Sequence, residues 1–206
     1  MPCYSPLKGY RCGETGRLLF KGANAENYME VACGQCIGCR LDNSRMWAAR
    51  CVHESTMPEH IRGNKFVTLT YRPLEECTKE QKEGGKYIQD RWSLEKSHFQ
   101  KFMKRLRKSR TGDKIKFFQA GEYGRICKHG IDLEKVKCPL CKHGRPHHHA
   151  LLFNVEFPDL EIYSTKDGVN RYTSKELEKI WGYGFVDVGE VTFQSAAYTA
   201  RYILKK

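Results

Sequence analysis

The sequence has no long hydrophobic run. No stretch of its 206 residues approaches the roughly 18 consecutive apolar residues of a membrane-spanning helix. Residues 1–6 (MPCYSP) lack the basic and then apolar pattern of a secretory signal. Internal repeats and low-complexity tracts are also missing. These absences predict an intracellular protein with no membrane partner.

Acidic residues are the minority among the charged side chains. Asp and Glu number 24 against 36 Lys and Arg, which gives a formal net charge of +12. Such a field attracts polyanions. Disorder is excluded, because 40% of the residues are hydrophobic and 12% are aromatic. The composition therefore predicts a soluble globular protein that binds a polyanion.

The ten cysteines are clustered rather than spread. Without a secretory signal, clustered thiols bind metal more often than they form disulfides. Cys33, Cys36 and Cys39 bring three thiolates within reach of one tetrahedral Zn²⁺ ion. Either Cys3 or Cys12 is the candidate fourth ligand. The alternative interpretation is that these cysteines are small buried hydrophobic residues.

A second cluster combines cysteine with histidine. Cys127 and His129 precede Cys138 and Cys141, and His143 is close by. The last two cysteines have the Cys-x-x-Cys spacing of a zinc knuckle and stand in a polar loop. We therefore expect a structural Zn²⁺ ion here, again with buried hydrophobic cysteines as the alternative.

The periodicity of apolar residues predicts a mixed α and β protein. β-branched and aromatic runs predict four strands, over residues 65–71, 114–121, 147–154 and 184–189. Capping residues and helical spacing predict helices over residues 42–54, from residue 93 onward, 174–181 and 195–205. Residues 1–40 show little periodicity and predict an irregular arm. This order predicts an α+β fold in which helices flank an antiparallel sheet.

The helix that begins near residue 93 has one apolar and one basic face. Apolar residues recur at Phe99, Phe102, Met103 and Leu106. The other face carries five cations without an acid between them, Lys101, Lys104, Arg105, Arg107 and Lys108. In a chain of this charge the basic face is a candidate for phosphate contact, with an ordinary solvated helix surface as the alternative.

A run of three histidines opens the strand predicted over residues 147–154. Side chains alternate along a strand, so His147 and His149 point to one face and His148 to the other. Two imidazoles at this spacing can bind one divalent ion and leave other coordination positions open for substrate.

A carboxylate completes this candidate site if the strands before and after the second cluster form a hairpin. Glu122 then lies opposite His147 as its cross-strand neighbour. Two imidazoles and one carboxylate leave room for water and a phosphate oxygen. This ligand set suits Mg²⁺ or Mn²⁺, which would polarise a phosphodiester as a Lewis acid.

The last predicted helix carries two tyrosines on one face, Tyr198 and Tyr202, followed on that face by Lys205. A phenol with a free pKa near 10 is a poor nucleophile unless its target is polarised or a cation is near. Tyrosines at this spacing are more often packing residues. The histidine pair and the positive charge favour catalysis, with both tyrosines as nucleophiles and Lys205 stabilising the developing charge.

Several segments together resemble the HUH endonuclease superfamily. The resemblance is to the rolling-circle replication initiators of gokushovirus-type single-stranded DNA phages (Microviridae). The segments that carry it are CGQCIGCR (33–40), FVTLTY (66–71), GEYG (121–124), RPHHHALLF (145–153) and YTARYILKK (198–206).

The resemblance implies a ferredoxin-like central antiparallel sheet of about five strands with flanking helices. It also implies a divalent ion on His147, His149 and Glu122. A tyrosine of the last helix would attack single-stranded origin DNA, leaving a 5′-phosphotyrosine adduct and a 3′-hydroxyl that primes synthesis. Alternating Tyr198 and Tyr202 would let the enzyme cut again and rejoin the circle. The implied setting is the cytoplasm of a bacterial host, with the host replication machinery as partner.

Two features depart from the family pattern. His148 stands where a hydrophobic residue is usual, so it faces either the core or a second metal ion. The chain also ends at Lys206, where family members usually continue, so we expect a nuclease domain that lacks C-terminal elements.

We expect two units in the chain. Residues 1–55 would form a cysteine-rich arm and helix, and residues 56–206 a nuclease domain with a Cys/His-containing insertion at about 124–146. Arg125 and Arg145 join the basic helix face as candidates for holding the DNA backbone.

Two other functions remain open from the sequence. One is a zinc-stabilised nucleic-acid-binding module without catalysis, in which His147 and His149 would join Cys138 and Cys141 around a structural Zn²⁺ ion. The other is a zinc-dependent hydrolase with a water nucleophile, which would not need the tyrosines.

Overall fold

The computed structural model describes residues 3–20, 28–73, 93–127, 129–141, 143–166 and 168–203, together with Lys79 and Glu83. The N-terminal arm contains a three-stranded antiparallel sheet. Its strands are β1 (Leu7–Arg11), β2 (Leu18–Leu19) and β3 (Tyr28–Val31), in the order β2-β1-β3. The prediction of an irregular arm is therefore wrong. These strands are short and mostly exposed, so they carry no apolar alternation that a sequence pattern would reveal.

A six-stranded antiparallel sheet forms the centre of the protein, in the order β5-β6-β4-β9-β8-β7. Its strands are β4 (Asn64–Tyr71), β5 (Lys116–Tyr123), β6 (Pro146–Phe153), β7 (Glu161–Lys166), β8 (Val169–Thr173) and β9 (Gly184–Glu190). This architecture confirms the predicted α+β fold. The sheet has six strands where about five are expected. The β7–β8 hairpin is absent from the prediction because most of its side chains are exposed.

Four helices flank the sheet in the described part of the chain. They are α1 (Ile37–Ser55), α2 (Lys96–Ser109), α3 (Lys175–Trp181) and α4 (Phe193–Ile203). Alternate residues of β6 pack on opposite sides. Ala150 and Leu152 join the core formed with α2 and α3, whereas Leu151 and Phe153 join the core formed with α1 and α4. Because side chains alternate along a strand, His147 and His149 lie on the α1/α4 side.

Helix α1 begins earlier than the sequence predicts. Its N-cap is Cys36, whose thiol accepts a hydrogen bond from the Cys39 backbone N–H at 3.5 Å. The expected caps, Asp42 and Asn43, lie inside the helix. The prediction fails because it considers only oxygen-bearing caps, whereas here a sulfur atom satisfies the free N–H group. Because of this early start, two of the clustered cysteines, Cys36 and Cys39, lie at the beginning of α1.

We expect Gly184→Ala to destabilise the sheet. A Cβ atom added at Gly184 would overlap the Thr70 carbonyl oxygen and the Arg72 amide nitrogen at the end of the neighbouring strand β4. Overpacking against backbone costs about 1–3 kcal/mol, which urea unfolding measures as a lower free energy of unfolding. Gly13→Ala is the control, because nothing lies within 4 Å of the added atom. Equal stability of the two variants would contradict this account.

Candidate carboxylate–histidine–tyrosine site

The hairpin of β5 and β6 brings one carboxylate and two imidazoles together. In the strand register Glu122 is paired with His147, as the sequence predicts. Glu122 Oε2 lies 3.3 Å from His147 Nε2 and 2.8 Å from His149 Nε2. Of the three side chains none is more than 15% exposed. We call Glu122, His147 and His149 the carboxylate–histidine site.

The far side of each imidazole is held by a neighbouring group. His147 Nδ1 lies 3.0 Å from the Arg145 carbonyl oxygen, and His149 Nδ1 lies 3.0 Å from Thr68 Oγ1. A carbonyl oxygen only accepts, so His147 Nδ1 carries the proton. Nε2 of each ring faces the same oxygen of Glu122. Two imidazole nitrogens and one carboxylate oxygen that converge on one point, with a neighbouring group orienting each imidazole from its far side, are the arrangement of a metal site.

The electrostatics of the site favour an ionised carboxylate and a neutral imidazole. Burial opposes ionisation of Glu122, but hydrogen bonds with His147 and His149 hold the pKa of its carboxyl well below the ordinary range. Burial lowers the pKa of His149. An ionised carboxylate and a neutral imidazole are the forms that bind a divalent ion.

Helix α4 adds the two tyrosines to this site. Tyr198 Oη donates to Glu122 Oε2 at 3.1 Å, and Tyr202 Oη donates to Tyr198 Oη at 3.3 Å. Burial raises the pKa of both phenols. Ser44 of α1 donates to the Ala197 carbonyl oxygen at 3.2 Å, which ties α4 to α1. The expected fifth member, Lys205, lies outside the described residues.

His148 faces the core on the other side of the sheet, and not a second metal ion. Only 3% of its surface is exposed. The Gln119 amide donates to His148 Nδ1 at 3.0 Å, and His148 Nε2 donates to the Tyr71 hydroxyl at 3.3 Å. Burial lowers the pKa of His148 to about 3, so the ring is neutral near pH 7. A polar residue is accepted at this core position because both ring nitrogens are satisfied.

Four cysteines of the arm meet at one point. The arm cluster consists of Cys3, Cys33, Cys36 and Cys39, whose sulfur atoms all lie within 4.8 Å of one another. Cys3, and not Cys12, is therefore the fourth member. Hydrogen bonds from the backbone N–H groups of Cys39 and Tyr4 lower the pKa of the Cys36 thiol to about 6. A thiolate is the metal-binding form of cysteine, so this geometry is compatible with a bound metal ion.

The insertion cluster between β5 and β6 has the four members that the sequence predicts. These are Cys127, His129, Cys138 and Cys141. His129 Nδ1 lies 3.4 Å from the sulfur of Cys138 and 3.4 Å from that of Cys141. His147 and His149 group with Glu122 and not with these cysteines. The zinc arrangement expected for a purely DNA-binding module is therefore wrong.

The basic helix α2 packs on the opposite side of the sheet from the tyrosines. Arg105 donates to the carbonyl oxygens of Ile180 and Trp181 at 2.6 and 2.7 Å, and Arg107 donates to that of Ile115 at 3.1 Å. These two guanidinium groups thus have protein partners. Three exposed ammonium groups remain on the predicted face, those of Lys101, Lys104 and Lys108. Phosphate contact by α2 stays a prediction.

The two remaining candidate arginines lie in the insertion. Arg125 pairs with Asp132 at 3.2 Å and with Glu134 at 3.5 Å. Arg145 stands beside the carboxylate–histidine site, where its backbone carbonyl contacts His147. Sequence reasoning missed this carbonyl and also Thr68. The register of β4 against β6, in which Thr68 pairs with His149, is the signal that would have identified the threonine.

A fourth group of possible ligands lies at the other end of the sheet. Glu54, Glu59 and His60 approach one another there, and no sequence pattern predicts them. The Lys116 ammonium lies 2.5 Å from Glu54 and 3.5 Å from Glu59. One lysine already pairs with both carboxylates, so this group is an ion-pair network.

Comparison with known proteins matches the chain to replication-associated proteins. The model of the replication-associated protein ORF2/G2P family matches residues 64–206. This span contains Glu122, both histidines of the site and both tyrosines. The chain therefore belongs to the replication-associated protein ORF2/G2P family.

Curated relatives come from a Spiroplasma virus and a Bdellovibrio phage. Replication-associated protein ORF2 of Spiroplasma virus 4 is 34% identical over all of this chain and 61% of its own length. Replication-associated protein VP4 of Bdellovibrio phage phiMH2K is 31% identical over all of this chain and 58% of its own length. The chain thus spans about three fifths of the length of these relatives. No solved structure matches it. Among the described helices, none is long and apolar enough to cross a membrane.

We expect one Co²⁺ ion to bind at each cysteine-containing cluster. Titration of the metal-free, reduced chain should give the strong visible absorption of tetrahedral thiolate-bound Co²⁺. The double variant Cys33→Ser with Cys36→Ser should lose the absorption due to Co²⁺ in the arm cluster. The double variant Cys138→Ser with Cys141→Ser should lose the absorption due to Co²⁺ in the insertion cluster. Cys12→Ser is the control, because Cys12 belongs to neither group. Unchanged absorption in both double variants would refute metal binding by these clusters.

Proposed function

We propose that this chain is the nuclease part of a rolling-circle replication initiator of the HUH type. In this proposal it nicks single-stranded DNA at the replication origin and later rejoins the strand. The observation that carries the proposal is the chain of contacts from Tyr202 through Tyr198 to Glu122, with His147 and His149 on the same carboxylate oxygen. Family membership supports a role in replication.

The carboxylate–histidine site would hold Mg²⁺ or Mn²⁺. One carboxylate and two imidazoles leave coordination positions for water and phosphate oxygens. When bound, the ion supplies Lewis-acid polarisation of the phosphodiester. Thr68 and the Arg145 carbonyl orient the two imidazoles from behind. The arm cluster and the insertion cluster are proposed to hold structural Zn²⁺.

The tyrosines would act as nucleophiles. A phenol oxygen forms a bond to phosphorus, and the bond from phosphorus to the 3′-oxygen breaks. The phenol gives up its proton and the released 3′-oxygen takes one up from water, so the products are a 5′-phosphotyrosine and a free 3′-hydroxyl. Glu122 Oε2, which accepts the Tyr198 hydrogen bond at 3.1 Å, is the acceptor nearest to the phenolic proton.

The second phenol gives the proposed cycle its second cut. Tyr198 and Tyr202 lie one helical turn apart, with their hydroxyl oxygens 3.3 Å from each other. Either phenol can therefore reach the same phosphate position while the other carries the attached strand. In this cycle the 3′-hydroxyl released by the second cut attacks the phosphorus of the first phosphotyrosine. The bond from phosphorus to the tyrosine oxygen breaks, the phenol regains its proton and the circle is closed. Lys205 keeps its proposed role in stabilising the developing charge.

The excess of positive charge would hold the DNA backbone. The formal charge of +12 favours a polyanion of any sequence, so origin specificity must come from contacts with bases. Lys101, Lys104 and Lys108 are the proposed backbone contacts on α2. The proposal implies action in the cytoplasm of a bacterial host, together with the host replication machinery.

A covalent-adduct assay tests the proposed function. The chain is mixed with labelled single-stranded DNA tiled across the cognate genome, with Mn²⁺ or with a chelator, and run on a denaturing gel. We expect a shifted band only with Mn²⁺, because the tyrosine needs a polarised phosphate. The band should weaken in Tyr198→Phe and in Tyr202→Phe and disappear in the double variant. Tyr163→Phe is the control, since this exposed phenol contacts Asp187 instead.

The other outcomes of this assay identify the alternatives. Cleavage without a shifted band, unchanged in the double tyrosine variant, would indicate a hydrolase with a water nucleophile. Binding without cleavage of any tiled substrate would indicate a DNA-binding module, and either result would overturn the proposal.

A further inference from the structure

The insertion between β5 and β6 leaves and re-enters the sheet through a narrow neck. Gly124 N donates to the Arg145 carbonyl oxygen at 2.8 Å, and Arg145 N donates to the Ile126 carbonyl oxygen at 3.1 Å. These two bonds continue the hairpin ladder beyond its last pair, Tyr123 with Pro146. The same Arg145 carbonyl contacts His147 Nδ1 at 3.0 Å. The neck and the carboxylate–histidine site therefore share one oxygen atom.

The neck has an outgoing limb, which begins at Gly124, and a returning limb, which ends at Arg145. The two limbs meet so closely at Gly124 and Gly144 that there is no room for a side chain at Gly144. A Cβ atom added at Gly144 would overlap the carbonyl group of Gly124. The backbone of Gly144 is not in the left-handed region, so the requirement for glycine is steric. Outside this contact the Tyr123 and His143 rings stack with centroids 4.5 Å apart. A small separation of the limbs would therefore move the Arg145 carbonyl.

The insertion cluster joins these two limbs. Cys127 directly follows Ile126 on the outgoing limb, and Cys141 stands three residues before Gly144 on the returning limb. The possible ligand atoms of the insertion cluster, which come from both limbs, all lie within 4.8 Å of one another. An ion bound by all four ligands would cross-link the limbs next to the neck and remove the conformational freedom of the loop between them.

We propose that a metal ion in the insertion cluster positions His147, although it touches neither substrate nor the catalytic ion. By closing the neck it holds the Arg145 carbonyl oxygen 3.0 Å from Nδ1, which fixes the ring in the orientation that turns Nε2 toward Glu122. The Arg145 carbonyl is thus a positioning group, and the insertion cluster is the element that places it. This inference rests on the divalent-ion site of the proposed function.

Binding of Mn²⁺ alone tests this inference. The zinc-loaded full chain is titrated with Mn²⁺ without DNA, and free Mn²⁺ is followed by electron paramagnetic resonance. Cys138→Ser with Cys141→Ser should lose the insertion metal and bind Mn²⁺ roughly 10- to 100-fold more weakly, the usual effect of losing a group that orients a ligand. Gly144→Ala keeps all four cluster ligands, so it should keep its zinc and still weaken Mn²⁺ binding.

The arm cluster provides the matched control. Cys33→Ser with Cys36→Ser should lose the other zinc ion and keep the Mn²⁺ affinity of the unmodified chain, because neither residue contacts the neck. Circular dichroism and thermal unfolding establish which variants are folded. Unchanged Mn²⁺ affinity in a folded insertion variant would overturn the inference, as would equal weakening in the arm variant. Because no DNA is present, these outcomes are separate from failure of the adduct assay, which concerns nicking.

Discussion

The antiparallel register of β5 against β6 is the constraint on which the rest of the site depends. It pairs Glu122 with His147, and the next strand in the sheet pairs Thr68 with His149. A shift of one residue would turn the histidine pair toward the opposite core. Apolar residues hold the register on both faces, with Ala150 and Leu152 buried on one side and Leu151 and Phe153 on the other. The packing of the core therefore sets the geometry of the polar site.

The tyrosines depend on a second layer of structure. Helix α4 meets the sheet above the histidines because α1 supports it, through the contact of Ser44 with Ala197 and a small core of Ala48, Cys51 and Ala196. The arm cluster caps the start of α1. Each cysteine-containing cluster thus adjoins one half of the site. The arm cluster stands at the helix that supports the tyrosines, and the insertion cluster stands at the neck beside His147.

Patterns with a fixed period were predictable from the sequence. The apolar stripe of α2 is buried as expected, and the alternation of His147, His148 and His149 across β6 is also confirmed. Glu122 was predictable because a hairpin leaves little freedom in the residue that faces His147. The sulfur cap of α1 and the exposed β7–β8 hairpin were not, since neither follows a periodic apolar pattern. The contact of the Arg145 carbonyl with His147 was not predictable either, because every residue has a carbonyl group and no sequence pattern distinguishes this one.

The sequence by itself determined the residue types of each candidate site, the order of the elements that have a periodic apolar pattern, and the face of the strand on which each histidine lies. Those properties follow from residue chemistry and from the two-residue period of a β-strand. Only the tertiary structure decided that Cys3 and not Cys12 completes the arm cluster, that His148 enters the core, and that the Arg145 carbonyl orients His147. Each of these depends on segments distant in the chain or on backbone atoms. Packing brings such groups together, so no local sequence pattern reveals the distances between them.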